Sequence, residues 1–357
     1  MKIIHTLKNT TSGDWFLGLD NFKSILLSVA LAKQKYGNIH LYTDSKISEY
    51  IKRFEIPYDS IDTSLDEYVG YNFAIPKIYT FSKQTEPFFH IDHDTFLFGK
   101  ITEKEPNVLF SHPDQLPFKE SITYNKSRTF ENYLNFFETY VSLFSKFPDL
   151  LDETIKRKID FSYVPNMCVF GGYDYKSISK ASKFLLKLYK KNQGIWDSDY
   201  YNACVIEQLL MIPALKTVNS EYDNLDTDLI QLNISNVQQI SNKTPLTITE
   251  YETNKPKNLI VDGISFEFNI ENQLDDYESL RYRFHEYLIQ NQKITHFSSF
   301  KSHTFLRYFT NVLLERLSVE AEFEFLRRIQ NKFNGIFDKR NIHYSSEEKI
   351  KMKIGII

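Results

Sequence analysis

The chain is 357 residues long, 42.3 kDa and 42% apolar, enough for one large or two ordinary domains that need no disulfide or metal staple to fold. Its 43 Lys and Arg against 46 Asp and Glu leave a net charge of −3, which excludes the global basic field of a general nucleic-acid or membrane-surface binder and permits only local patches. The two cysteines, Cys168 and Cys204, match neither a disulfide framework nor a zinc motif and point to a reducing, cytoplasmic compartment.

Met1–Leu7 reads as a first strand, too short in apolar run for a signal segment, and no stretch approaches the roughly 18 apolar residues of a membrane span. Phe22, Ile25, Leu26, Val29, Ala30 and Ala32 recur at helical spacing up to a Gly37-Asn38 stop. Ile39–Asp44 is a strand, and Ser45–Phe54 a short helix with Ser45 as its N-cap. This β-α-β-α opening predicts an α/β sheet. A helix over Phe73–Ser82, interrupted at Pro76, leads into the apolar strand Phe88–Ile91, an abrupt Asp92-His93-Asp94, and Thr95–Phe98. Asn107–Ser111 reads as a further strand, Thr129–Lys158 as mainly helical, and Val164–Gly172 as loop, strand and tight turn. Lys176–Lys191 and Ser198–Ile212 are helical by period, Val218–Phe268 contains short strands, Leu280–Gln290 looks helical, Lys293–Phe297 extended, and His303–Phe333 is a long amphipathic helix or helix pair. The rings, with 30 Phe and 23 Tyr, are spread along the whole chain, so most belong to the core and do not by themselves name a ligand.

Asp92 and Asp94 are the sharpest chemical feature. Two carboxylates two residues apart at the end of an apolar strand can present oxygens to one hard divalent cation, and without a cation or strong donors their burial is costly. On these residues the chain resembles the GT-A class of nucleotide-sugar glycosyltransferases, in which such an Asp-x-Asp holds Mn²⁺ or Mg²⁺ against the donor diphosphate. Further segments are similar to the glycogenin and bacterial galactosyltransferase group. Ala74-Ile-Pro-Lys-Ile-Tyr79 supplies Lys77 at a donor-side basic position, and Asn166-Met-Cys-Val-Phe-Gly-Gly172 supplies Asn166 beside the transferred sugar. Glu207-Gln208 matches an acidic-Gln pair near the reaction centre. His296-Phe-Ser-Ser-Phe-Lys301 matches a C-terminal element whose His completes the metal site and whose Lys meets the diphosphate.

The resemblance implies an open mixed Rossmann-like sheet flanked by helices, with a GT-A-like catalytic domain over residues 1–300 and a helical extension over 301–357 packed on it. It implies Asp92, Asp94 and His296 as metal ligands, and Lys77, Lys301, Thr43 and Asp44 with the two Asp at the donor. Glu207, Gln208 and Asn166 would act at the sugar. The expected cofactors are Mn²⁺ or Mg²⁺ with a nucleoside-diphosphate sugar, UDP-linked, as donor. The acceptor hydroxyl, on a saccharide, a lipid-linked saccharide or a protein, stays open. So does the choice between a homodimer and a peripheral contact with the inner face of the membrane through the C-terminal stripe; no nucleic acid is expected. Two rival functions remain on the residues alone: a metal-dependent nucleotidyltransferase or phosphoesterase, and a non-catalytic glycosyltransferase-like binding protein.

Overall fold

The structure is a computed structural model that describes residues 1–8, 19–70, 72–101, 108–114, 157, 164–198, 203, 205–218, 220, 222–224, 229–231, 237–240, 245–248, 258–261, 264–267, 294–296, 304–333 and 336–337. Its centre is a mixed sheet. Strands β1 (Lys2–Leu7), β2 (Ile39–Thr43), β3 (Ser60–Asp62), β4 (Phe88–Ile91), β6 (Val108–Asp114), β7 (Val164–Gly172) and β8 (Tyr222–Asn224) lie in the order β3-β2-β1-β4-β7-β6-β8. β3, β2, β1 and β4 run parallel, β7 is antiparallel to β4 and β6, and β8 is parallel to β6. Between β5 (Thr95–Leu97) and β14 (Ile294–His296) an antiparallel pair forms, extended by the parallel β9 (Leu229–Gln231). Strands β10 (Val237–Ile240), β11 (Pro245–Ile248), β12 (Asn258–Val261) and β13 (Ile264–Glu267) make a separate antiparallel meander.

Alternate residues of the inner strands feed two cores, as a pleated sheet covered on both faces requires. Ile3, Leu7, Phe89 and Ile91 face one layer, with helices α1 (Leu19–Tyr36) and α2 (Ser45–Arg53). Ile4, Phe88, Phe110 and Phe170 face the other, with α3 (Ile75–Ser82), α4 (Tyr175–Lys191), the short α5 (Gln193–Trp196) and α6 (Met211–Thr217). The C-terminal segment is a helix pair, α7 (Thr304–Ser318) and α8 (Glu324–Lys332), not one helix, and Leu313, Leu314, Leu317, Leu326 and Ile329 join the α1 core.

Several sequence expectations change. Pro76 does not interrupt α3 but sits in its first turn, where its missing N–H is no loss. Asp44, not Ser45, caps α2, its carboxylate accepting from the Ile47 amide at 2.8 Å. Residues 164–172 form one continuous nine-residue strand. The span 198–212 is not a single helix: Val205–Leu209 is a π-turn closed by Leu210 N–H to Val205 C=O at 3.0 Å, and Pro213 then stands in the first turn of α6. The helices expected over Thr129–Lys158 and Leu280–Gln290 lie outside the described residues, apart from a turn at Arg157. Among the described residues no helix is long and apolar enough to cross a membrane.

Gly171 has φ +151° on β7, where a Cβ would run into the Phe88 carbonyl of β4. Gly171→Ala is therefore expected to cost more than about 2 kcal/mol in urea denaturation.

Candidate metal centre

The first three parallel strands are laid down in one direction, β1 to β2 to β3, and α3 then carries the chain back to the other side of β1. The β1/β4 boundary is a topological switch point, the crevice at which open α/β sheets accept ligands beyond their carboxyl ends. Asp92 follows the last residue of β4 at that edge. Asp92-His93-Asp94-Thr95 form a tight turn closed by Thr95 N–H to Asp92 C=O at 2.9 Å, and Asp92 N–H donates to Cys168 C=O at 2.8 Å. β5 leaves the turn and pairs with β14 in a register that sets His296 opposite Thr95. Two hundred residues of sequence separation are thus closed by one short ladder. Asp92, Asp94 and His296 bring their ligating atoms within 4.8 Å of one another, and His296 Nε2 lies 3.5 Å from Asp94 Oδ1.

This donor set, two carboxylates and an imidazole, could hold a divalent cation of hard to borderline character. Among the described residues the buried His296 Nδ1 and both nitrogens of the buried His90 have no hydrogen-bond partner; unsatisfied buried groups of this kind are ones that a bound ion, ligand or water can complete. Burial works against charging His296, but Cys168 and Asp94 beside it outweigh that cost and hold its pKa well above the ordinary imidazole value. His90 Nδ1 is 3.9 Å from Asp92 Oδ1; burial, reinforced by Lys77, keeps that ring neutral.

From the first turn of α3, Lys77 Nζ reaches 2.7 Å from Asp92 Oδ1 and donates to Oδ2 at 3.0 Å. The π-turn aims Glu207 at the same ammonium, at 3.1 Å. One cation faces two carboxylates and can neutralise one. Asp92, held through both oxygens, takes most of it, while Glu207 Oε1 stays off hydrogen-bond alignment despite the short distance. Burial raises the Glu207 pKa to about 7, opposed by Lys77 and assisted by Asp92.

The turn is held from behind by α1, a device not read from the sequence. Ser24 and Ser28, one helical turn apart on the same face, donate to the carbonyls of His93 at 2.9 Å and Thr95 at 2.7 Å. Ser28 Oγ is also 3.1 Å from His5 Nε2, and His5 Nδ1 is 2.8 Å from the Tyr58 hydroxyl. Because the single hydroxyl proton of Ser28 goes to Thr95, His5 Nε2 must donate to Ser28 and Nδ1 must accept from Tyr58. Burial lowers the His5 pKa to about 3 and raises that of Tyr58, so both remain in these neutral forms. The available sequence signal is a polar His5 at the alternate position between Ile3 and Leu7, on the face of β1 that the apolar pattern assigns to the core.

The remaining expected site residues are placed as follows. Asn166 is buried and its Oδ1 accepts from Cys168 N–H at 2.8 Å, bracing the backbone that holds Asp92. Gln208 is half-buried beside Glu207. Thr43 and Asp44 end β2 on the same sheet edge as Asp92; Thr43 donates to Leu7 C=O at 2.7 Å, and Asp44 is 3.2 Å from Lys8 as well as capping α2. Lys301 lies outside the described residues.

Sheet and site together define an α/β protein with helices on both faces of a mixed sheet and an Asp-Asp-His cluster at its switch point. The chain belongs to a family of unknown function, DUF6734, whose pattern matches residues 1–249. No curated protein matches it. Among solved structures it is similar to the apo form of mouse Xyloside xylosyltransferase 1, at 10% identity and a TM-score of 0.33, over 65% of this chain and 88% of that one.

Two outcomes test the site as built. Tyr58→Phe and Ser28→Ala each strand buried polar atoms and should cost about 1–3 kcal/mol; in a double-mutant cycle by urea denaturation they should couple by more than about 0.5 kcal/mol. Glu207, with its pKa raised on folding from 4.5 to about 7, favours the folded state while protonated and loses that contribution as pH rises through the interval. The melting temperature of Glu207→Gln should accordingly match the native chain at pH 4 and exceed it increasingly toward neutrality, levelling off above about pH 7.

Proposed function

We propose that this protein is a GT-A-like glycosyltransferase that moves a sugar from a nucleoside-diphosphate sugar, UDP-linked, to an acceptor hydroxyl. The observation that carries the reading is the convergence of Asp92, Asp94 and His296 at the switch point, with Lys77 and Glu207 across from them. Asp92 and Asp94 follow a strand end in the Asp-x-Asp arrangement, and β14 supplies the imidazole the resemblance calls for.

A Mn²⁺ or Mg²⁺ ion held by these three residues would supply Lewis-acid stabilisation of the leaving diphosphate. Lys77 adds a positive charge where negative charge develops as the bond to the sugar breaks, and does so in a water-poor setting where such charges count most. In its ionised form, Glu207 can accept the proton of an acceptor hydroxyl, and its pKa of about 7 suits a general base near neutral pH. Asn166 and Gln208 are assigned to the sugar side, and Lys301 to the diphosphate. The nucleoside would lie over the β1 and β2 ends near Thr43 and Asp44. A two-metal phosphoryl-transfer scheme is less favoured, because the described residues contain a single three-ligand cluster.

The test pairs binding with turnover. The melting temperature should rise with a UDP-sugar plus Mn²⁺ and not with either alone, and GDP- and CDP-sugars serve as comparison. Asp92→Asn and Asp94→Asn should each lower metal-dependent donor hydrolysis by at least about a hundredfold; hydrolysis unchanged in both variants would falsify the scheme.

A further inference from the structure

Helix α4 carries six lysines: Lys176, Lys180, Lys183, Lys187, Lys190 and Lys191. The first five are spaced four, three, four and three residues apart, so they line one face over roughly 21 Å of helix. All six are exposed, and the opposite face buries Ile178, Ala181, Leu185, Leu188 and Tyr189 in the core. The helix contains no Asp, Glu or Arg. Among the described residues none of the six lysines forms an ion pair, and Lys176 alone has a further contact, with the Tyr175 ring at 5.9 Å. The carboxylates at the two ends are engaged elsewhere. Asp174 accepts from the Ser177 amide at 3.1 Å and the Ser220 hydroxyl at 2.8 Å, and Asp197 accepts from Tyr189, Gln193 and the Asn72 amide. In a chain of net charge −3, this is a segregated cationic strip without an ion-pair partner among the described residues.

We infer that the outer face of α4 docks the protein on an anionic lipid bilayer. A row of lysines on a straight helix matches a planar field of headgroup charge, and a cluster of this size lies within the range that holds peripheral proteins to acidic membranes. Lysine provides mobile point charges suited to a fluid array of headgroups, whereas arginine is the residue for fixed bidentate phosphate or sulfate contacts. Among the described residues the exposed large ring beside the strip is Tyr173, at one end, which is not the succession of stacking plates that a single-stranded polymer uses. Tyr173 is also suited to the interface, where amphipathic rings settle among headgroups. At its other end α4 is tied to the segment entering α3: Tyr189 OH contacts Tyr68 OH at 3.4 Å, and Tyr68 OH donates to Asn72 C=O at 2.7 Å. Lys77, which reaches the metal centre, lies in the first turn of α3. This inference concerns the surface and does not depend on which reaction occurs at the centre.

Co-sedimentation of the full chain with phosphatidylcholine vesicles containing about 30% phosphatidylserine, and with pure phosphatidylcholine, tests it. Binding is expected only to the anionic vesicles at about 50 mM salt and should be lost at about 500 mM. The triple change Lys180→Glu, Lys183→Glu, Lys187→Glu should weaken that partitioning by at least about a hundredfold. A control triple at exposed sites elsewhere, Lys52→Glu, Lys100→Glu, Lys332→Glu, should leave it within about threefold. Unchanged melting temperatures establish that both triples fold, and Lys180→Gln, Lys183→Gln, Lys187→Gln provides a milder second variant with the same direction of effect. No binding of the native chain at low salt, or equal loss in the two reversal triples, overturns the inference. So does retention on heparin without vesicle binding, which would assign the strip to a soluble anionic polymer.

Discussion

Three carboxylates and one lysine crowd the carboxyl edge of the sheet, and their mutual charge is the constraint to which the surrounding structure answers. Asp92 is placed there by β4, Asp94 by the turn, Glu207 by the π-turn and Lys77 by α3. Lys77 sits against Asp92 and within ion-pair distance of Glu207. Taking carboxylates out of water costs several kcal/mol each unless they are paired or neutralised. The protein meets that cost in three ways: Lys77 pairs with Asp92, Glu207 retains its proton up to about pH 7, and His296 is held toward its charged form beside Asp94. Each depends on a different element arriving at the same edge, so the site and the sheet form together.

Helix α1 couples that edge to the remainder of the molecule. On one side its hydroxyls grip the Asp-His-Asp turn, and through Ser28 and His5 the grip continues across β1 to Tyr58, next to β3. On another side it receives α7: the buried Lys23 ammonium donates to Asn311 Oδ1 at 2.7 Å, amid the apolar contacts of Leu313, Leu314 and Leu317. The C-terminal helices therefore support the acidic turn at second hand, through the helix that positions it. A largely buried polar relay of this kind is stable only when its donors and acceptors are used, and in this chain of four groups, partly open only at Tyr58, the hydrogen count closes.

Local periodicity was enough to read the opening β-α-β-α, the basic helix α4 and the apolar strand before Asp92, because burial pattern and chain order coincide there. It misled where one residue's chemistry overrode its usual effect. Pro76 reads as a break but serves as a helix start, and the apparent single helix over 198–212 conceals a π-turn that turns Glu207 inward. The partners of the Asp pair were legible only by resemblance: no local signal says that His296 will lie opposite Thr95, since that depends on a strand register set across two hundred residues. The serine and histidine relay was illegible for the same reason. Ser24 and Ser28 are ordinary helix residues until the turn they hold is in place. The meander of β10–β13 appeared in the sequence only as short strands, with nothing to give their pairing.

The charge balance also bears on how a ligand would enter. With Lys77 already shared between two carboxylates, a free diphosphate would bring further negative charge beside Asp92, Asp94 and Glu207, where the low local dielectric magnifies repulsion. A diphosphate accompanied by a divalent cation adds little net charge. On the proposed reading, anion and cation should therefore favour each other's binding, a coupling that is reciprocal by thermodynamic necessity. The same balance separates the centre from the lysine strip on α4. There six ammonium groups face solvent without a carboxylate among them in the helix, so the strip retains its field for an external surface, while at the sheet edge the Lys77 charge is taken up by the carboxylates beside it.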